Sequence, residues 1–559
     1  MTASKTRLSL GEFDTLRLNA PYVTDPLALY SQLCQGRPNN LLLESVEIDS
    51  KAGTQSLLLV DACLRIECRG RTVQVRALND NGAQLQTLLG EQLPAPIRRS
   101  LVKGELHLEF PASDRELDED SRLKGISVLD VLRTLQQQLH CSPGNDALGK
   151  EALFMGGSFA YDLIASFEDL PEVPEGSNDC PDYCFYVAET LITIDHIKQS
   201  TQLVACLFGG NSGDDEQEES QQEARYARLL SRLESFKQAC QQPQPRPQTT
   251  QPLTGALCVD KNDKQFCAEV EKLKGFIRRG DIFQVVPSRS FSLPCPEPIA
   301  AYRRLKQTNP SPYMFYVQDE GFTLFGASPE SAVKFEAASR QVEMYPIAGT
   351  RRRGLNPDGS INLDLDGRIE LELRQDEKEV AEHLMLVDLG RNDIARISEP
   401  GTRYVKDLLK VDRYSHVMHL VSRVVGTLRA DLDALHAYQA CMNMGTLTGA
   451  PKLRASELIR AVEGRRRGSY GGAVGYLNGV GEMDTCIVIR SAFVKEGVAH
   501  VQAGAGVVYD SKPQMEADET RAKAAAVLAA IAASHGTSLQ ALSLQEHQQS
   551  EKTKAARHD

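Results

Sequence analysis

Apolar positions in the first two hundred residues recur with a period of two. LLLESVEI from Leu41, SLLLVDACLRIEC from Ser56, TVQVRAL from Thr72 and CFYVAETLITID from Cys184 read as strands, and VLDVLRTLQQQL from Val128 reads as an intervening helix. The pattern then lapses. NSGDDEQEESQQE is acidic and polar, and after a helical stretch QQPQPRPQTTQP is too rich in Pro and Gln to bury a face. This predicts an N-terminal α+β region over 1–208 and a polar linker containing a helix over 209–255. Beyond Ala256, DKQFCAEVEKLKGFIRRG reads as a helix and DIFQVVPSRSFSL as a strand. AVGYLNGVGEMDTCIVIRSAFVKEGVAHVQAGAGVVY alternates between Gly-containing turns, as successive hairpins do. The expected fold class is α+β: large, mostly antiparallel sheets flanked by helices, in one composite chain of two subdomains. The second region covers 256–533 and a polar tail covers 534–559.

Composition narrows the class. The chain has 559 residues, 41% of them apolar and 25% charged, which is ordinary globular usage. A net charge of −12 argues against nucleic acid or an anionic membrane surface as the main partner, so any bound anion must meet a local positive site. The opening MTASKTRLSLGEFDTL has no continuous apolar segment and no run reaches spanning length, so neither export nor membrane insertion is expected. Thirteen cysteines without a C-x-x-C pair read as reduced thiols of a cytoplasmic protein; Cys180 and Cys184 come nearest to a metal pattern but have no second pair beside them.

Two helical segments carry the most pointed chemistry. In RQDEKEVAEHLMLVDLGRND, Glu379 and Glu382 lie three residues apart and project from one face; in QMEADETRAKAAAVLAAI, Glu516 and Glu519 repeat the spacing and Lys523 continues the stripe. Either these are solvated helix faces, or the two pairs converge on a divalent cation. All-oxygen ligation would suit Mg²⁺. The second pair opens its helix directly after AGAGVVYDSKPQ, where Gly504 and Gly506 allow close backbone approach to an anion. MGTLTGAPK, with Gly445, Thr446, Thr448 and Gly449 ahead of Pro451, offers a helix start or an anion site but lacks phosphate-loop spacing. The runs Arg351 to Arg353 and Arg465 to Arg467 read as loop charges or internal ion partners. His416 and His419 lie in the strand-like RYSHVMHLVSRVV, where position alone promotes neither.

PIAGTRRRG, DEKEVAEHLMLVDLGRND, KVDRYSHVMHLVSRVVG, CMNMGTLTGAPK, RRRGSYGGAVGY, DTCIVIRS and QAGAGVVYDSKPQMEADET, in this order, resemble the chorismate-utilising enzymes, and among them the large subunits that make anthranilate. The resemblance is strong from about Lys261 to Ala526, so 256–533 is expected to be the chorismate-binding catalytic domain and 1–208 to contribute a regulatory pocket. It implies that Glu382 and Glu519 bind Mg²⁺ directly and that Glu379 and Glu516 hold its waters. Tyr470 and Arg490 fall where the family binds the enolpyruvyl carboxylate, with Gly504, Gly506 and Lys523 completing the carboxylate contacts. Thr350 and Thr446 line the ring, and His419 matches the residue that assists departure of the C4 hydroxyl.

Two positions separate the branches of the family. Ala348 stands where aminodeoxychorismate synthases usually carry a lysine nucleophile, and Gln284 where isochorismate and salicylate synthases carry a lysine that activates water. Both point to ammonia as the nucleophile: amination of chorismate at C2, then loss of pyruvate to give anthranilate, the first committed step of tryptophan biosynthesis. No amidotransferase nucleophile motif is present, which implies a separate glutamine amidotransferase subunit, in this family commonly as a heterotetramer of two large and two small subunits. The resemblance also implies feedback inhibition by tryptophan. Glu44, Ser45, Asn309, Pro310, Pro312, Tyr313 and Met314 match the allosteric pocket, and Gly326, Arg423 and Cys486 match positions that relay inhibition. The complete absence of tryptophan fits a protein translated when that amino acid is scarce.

Overall fold

Strand pairing joins parts of the chain that are far apart in sequence. The computed structural model describes residues 7–46, 53–142, 146–210, 215–241, 256–414, 417–542 and 544–546. The Pro/Gln-rich run, the first residues of the acidic run, His416 and the end of the polar tail lie outside these residues. The expected strands form as Asn40–Val46, Gly53–Arg69, Thr72–Ala77 and Tyr183–Asp195, and the intervening helix as Asp130–Gln138. The helix Asp215–Gln241 is more than a spacer, because its Leu229, Leu233 and Phe236 are buried in a core shared with Leu16, Leu203 and Leu207.

The N-terminal region does not close its own sheet. Asn40–Val46 pairs antiparallel with both Gly53–Arg69 and Tyr313–Gln318, and Phe154–Phe159 lies between Tyr183–Asp195 and Ala473–Asn478. Nearly all pairings are antiparallel, as short Gly-turn hairpins require. The expected hairpins appear as Ala473–Asn478, Met483–Ile487, Ser491–Lys495 and Val498–Gly504. One element differs from expectation: DIFQVVPSRSFSL is two strands, Gln284–Val285 and Ser288–Pro294, in different sheets. Pro287 has no N–H to donate to a ladder, so the chain changes partners there. Among the described residues no helix is long and apolar enough to cross a membrane.

The seam between the two regions depends on close backbone approach. Gly157 pairs with Phe185 on one side and Gly475 on the other. A Cβ at Gly157 would stand 2.1 Å from the Cys184 carbonyl oxygen, and one at Gly475 2.0 Å from that of Asp484. Backbone atoms cannot rotate away as a side chain can, so Gly157→Ala is expected to lower stability by about 1–3 kcal/mol. A urea unfolding midpoint unchanged from wild type would show that the seam relaxes freely.

Candidate active site

The two glutamate pairs sit on the helices Glu377–Ala395 and Pro513–Ser534. The first helix starts where the Asp376 carboxylate accepts from the backbone N–H of Lys378 and Glu379, and Pro513 opens the second. Folding brings the four carboxylates into one electrostatic environment. Burial pushes the Glu382 carboxyl up to about 7; Glu379, Glu516 and Glu519 add to this and Lys378 opposes it. Burial also raises Glu516, with Glu519 adding to the rise and Ser511 opposing it. Glu382 Oε1 is buried without a hydrogen-bond partner.

Neighbouring cations hold the group in part: Arg351 reaches Glu379 at 3.0 Å, Lys523 reaches Glu519 at 2.6 Å and Lys378 stands 3.8 Å from Glu382. No three acidic, imidazole or thiol side chains among the described residues are close enough to form a ready cage. An all-oxygen set with an orphaned inner oxygen and no closed cage fits Mg²⁺, an ion that keeps waters and takes ligands from its substrate.

Beside the quartet lies a positively charged recess. Arg490, at φ +50°, is largely buried, and no ion pair or side-chain hydrogen bond forms to its guanidinium among the described residues. Burial lowers its pKa, against the pull of Tyr470, Glu519 and Glu330. An unpaired, desolvated cation is an anion site in waiting. Tyr470 and Gly504 adjoin it: a Cβ at Gly504 would stand 2.9 Å from the Tyr470 hydroxyl, and Lys523 Nζ donates to the Gly504 carbonyl at 3.0 Å. A Cβ at Gly506 would stand 2.7 Å from Gln284 Nε2, while Gln284 Oε1 is buried and unpartnered. Gln284, Tyr470, Arg490, Gly504, Gly506 and Lys523 are thus gathered around one recess.

His419 and Thr350 oppose each other across the strands Ile347–Arg352 and Val417–Thr427. The Thr350 hydroxyl is 3.0 Å from His419 Nδ1, and the Gly349 carbonyl is 3.3 Å from the same nitrogen. The carbonyl can only accept, while the Thr350 hydroxyl can donate to Nδ1 or accept from it. Burial pushes His419 down to about 4, with Arg490 and Lys523 acting in the same direction. The imidazole of the free chain is therefore neutral.

One acid was not visible in the sequence pattern. Glu330, in the short link between the strands Thr323–Ser328 and Ser331–Glu336, is buried, and this pushes it up to about 7 against the pull of Thr446, Arg490 and Lys523. It follows no helical spacing and lies in a two-residue link between strands, with no other sequence signal. Thr446 lies beside it, its hydroxyl being the group that pulls the Glu330 carboxyl back down.

The basic runs are internal ion partners. Arg353 pairs with Asp366 at 2.8 Å, Arg465 with Asp260 and Arg466 with Asp182. Arg467 and Glu463, each with a side chain 1% exposed, pair at 2.6 Å. Burial alone would push Glu463 up, but Arg467 holds it below its ordinary value. Arg467 also donates to the carbonyls of Leu447 and Val286, and Glu463 accepts from Ser288 N–H and Oγ, each at 2.8 Å. One ion pair thus ties down the segments that carry Gln284, Thr446 and Gly504.

Of the seven residues matched to a regulatory pocket, Glu44, Ser45, Tyr313 and Met314 lie on one strand pair, on both its faces, and Asn309, Pro310 and Pro312 lie in the link that leads into it. Ser45 opposes Tyr313 and Glu44 opposes Met314. Met314 packs with Leu42 and Leu58, and Glu44 accepts from Tyr302 at 2.7 Å and pairs with Lys306. Tyr313 lies on the other face with Leu43 and Leu57 and donates to Asp484 at 3.1 Å. The Pro312 carbonyl accepts from Val46 N–H, and Asn309, followed by Pro310, ends the helix Pro298–Thr308. Of the three relay positions, Gly326 pairs with Phe315 and Ser491, Cys486 with Ser331, and Arg423 bonds Glu343.

The fold and this recess define a class. Residues 103–529 match the chorismate binding enzyme family, and the chain belongs to it. Within that family it falls with anthranilate synthase component 1. It is 57% identical to that protein from Vibrio parahaemolyticus over 94% of each chain, and 57% identical to that of Escherichia coli K12 over 93% of this chain and 97% of the relative. The crystal structure of anthranilate synthase component I from Streptococcus pneumoniae covers 86% of this chain and 94% of its own, with a TM-score of 0.61 and 30% identity. The menaquinone-specific isochorismate synthase of Escherichia coli, at 17% identity and a TM-score of 0.64, shares the fold.

Replacing Arg467 with Met keeps the volume but leaves Glu463 charged and buried alone, a change expected to cost about 3–5 kcal/mol. Thermal unfolding of Arg467→Met at wild-type stability would mean that the pair holds nothing.

Proposed function

We propose that this chain is a cytoplasmic large subunit that converts chorismate and ammonia to anthranilate and pyruvate, the first committed step of tryptophan biosynthesis. The observation that carries the reading is the juxtaposition of four convergent glutamates with the unpaired Arg490: a site for a cation and a site for a carboxylate, side by side. Glu382 and Glu519 would hold Mg²⁺ directly, with Glu379 and Glu516 on its waters, and the bound ion supplies positive charge for the ring carboxylate. Arg490 and Tyr470, with the backbone at Gly504 and Gly506 and the Lys523 ammonium, orient the enolpyruvyl carboxylate. Thr350 and Thr446 border the ring.

Ammonia attacks C2 with its lone pair, the ring double bonds shift, and the C4–O bond breaks. Hydroxide is a poor leaving group, so a proton must reach it as it departs. His419 would assist; burial is the main reason its imidazole is neutral, and two substrate carboxylates on Arg490 and Lys523 would offset the smaller contribution of those cations. Glu330, which burial pushes up to about 7, would be a second proton donor. The 2-amino-2-deoxyisochorismate so formed loses its C2 proton and its C3 enolpyruvyl group as pyruvate, driven by aromatisation. Ala348 and Gln284 support ammonia over an enzyme lysine or activated water as nucleophile. Glutamine-derived ammonia would come from a separate amidotransferase subunit, in an assembly of two large and two small chains.

Tryptophan would inhibit through the strand pair of Ser45 and Tyr313. From there two backbone routes lead inward. Gly326 connects Phe315 to Ser491, next to Arg490; Asp484 connects Tyr313 to the strand whose Ile487 N–H bonds the Glu330 carbonyl at 3.0 Å.

Incubation of the purified chain with chorismate, Mg²⁺ and ammonium is expected to give fluorescent anthranilate. His419→Ala is expected to lower turnover about 10²- to 10⁴-fold; near-normal turnover would remove His419 and leave Glu330 as the proton donor. Ser45→Leu or Met314→Thr is expected to preserve turnover but weaken tryptophan inhibition, and an unshifted inhibition curve would refute this pocket.

A further inference from the structure

Among the described residues, Glu379 is the one member of the glutamate quartet whose ion partner comes from outside the two helices. Arg351 reaches it from the strand Ile347–Arg352, one residue after Thr350. Its planar fork makes three contacts: Nη1 donates to Glu379 Oε1 at 3.0 Å and to the Thr350 carbonyl at 2.9 Å, and Nη2 donates to Asp376 Oδ2 at 2.5 Å. Asp376 Oδ1 meanwhile accepts from the backbone N–H of Lys378 and Glu379, each at 3.1 Å. One guanidinium thus grips both the cap of the helix and its first inward-facing glutamate, and ties them to the strand that opposes His419.

The other oxygen of Glu379 is confined as well. Gly349 lies at φ +74°, and a Cβ there would stand 3.3 Å from Glu379 Oε2. With one oxygen bonded to a guanidinium and the other against the backbone, this carboxylate has little freedom to turn. Its neighbours are held more loosely. Lys378, exposed on a flexible stem, stands 3.8 Å from Glu382, and Lys523 pairs with Glu519 within a single helix turn. Either lysine can leave by rotating alone, whereas Glu379 cannot turn away without breaking its bond to the residue that also holds the helix cap.

We infer that Arg351 sets the ion preference of the quartet by withholding Glu379 from direct ligation. The inference rests on the metal reading proposed above. Mg²⁺ keeps several waters and is bound through about one or two carboxylates, whereas Ca²⁺ takes about six to eight oxygens in a flexible shell. A quartet that offers only Glu382 and Glu519 directly suits the first ion. A third carboxylate free to turn inward would favour the second.

Calorimetric titration of the whole chain with Mg²⁺ and, separately, with Ca²⁺, chorismate present and ammonia absent, reads this preference without turnover. In Arg351→Gln the ratio of the Mg²⁺ to the Ca²⁺ dissociation constant is expected to rise about tenfold over wild type. Loss of a positive charge by itself would tighten both divalent ions alike and leave that ratio where it was. If the Gln variant does not fold, Arg351→Lys decides by a rise in the same ratio, since one ammonium keeps the charge but cannot span Asp376 and Glu379. A ratio that is unchanged, or that moves in favour of Mg²⁺, overturns the role of Arg351 while leaving the metal site standing. A wild-type chain that does not bind Mg²⁺ would overturn the metal site, and the inference with it.

Discussion

A single buried ion pair underlies the geometry of the recess. Glu463 and Arg467 belong to the end of the helix Lys452–Glu463 and the loop after it, yet their hydrogen bonds reach Val286, Ser288 and Leu447. Each of these lies next to a segment that lines the site, and Arg467 stacks over the rings of Tyr161 and Tyr470 as well. An ion pair so fully desolvated contributes little net stability compared with apolar packing, but it tolerates few alternative arrangements. Its effect is geometric: three segments distant in sequence meet in one register.

Electrostatic opposition then gives the recess its character. Burial and the neighbouring carboxylates raise the proton affinity of Glu382 and Glu516, while burial, with Arg490 and Lys523, depresses that of His419. Neither half is at rest alone. The orphaned oxygen of Glu382 is a buried polar atom of a kind that a folded protein rarely leaves unsatisfied, and Arg490 makes no ion pair among the described residues.

The shared sheet explains how a distant strand pair can bear on this recess. Asn40–Val46 is hydrogen-bonded to Tyr313–Gln318, which pairs with Thr323–Ser328, which pairs in turn with Ser491–Lys495 beside Arg490. Gly326 is the tight point of that ladder, since a Cβ there would stand 2.6 Å from the Phe315 ring and 2.8 Å from Ser491 Cβ.

Local pattern by itself determined much. Period-two segments became Gly53–Arg69 and Tyr183–Asp195, the E-x-x-E spacings became two helix faces, and the Gly-rich stretch became successive hairpins, because side-chain direction within an element follows from local backbone geometry. The motif order also pointed to the family, and the two E-x-x-E pairs do converge. Tertiary structure alone decided the rest. Pro287 split one expected strand between two sheets; Glu330, without any spacing to mark it, was brought to Thr446; Arg467, one basic residue in a run of three, became a buried clamp; and four of the seven regulatory candidates were divided between two faces of one strand pair. Burial and charge proximity are long-range properties of the folded chain, and they set which carboxyl keeps its proton and which cation is left without a partner.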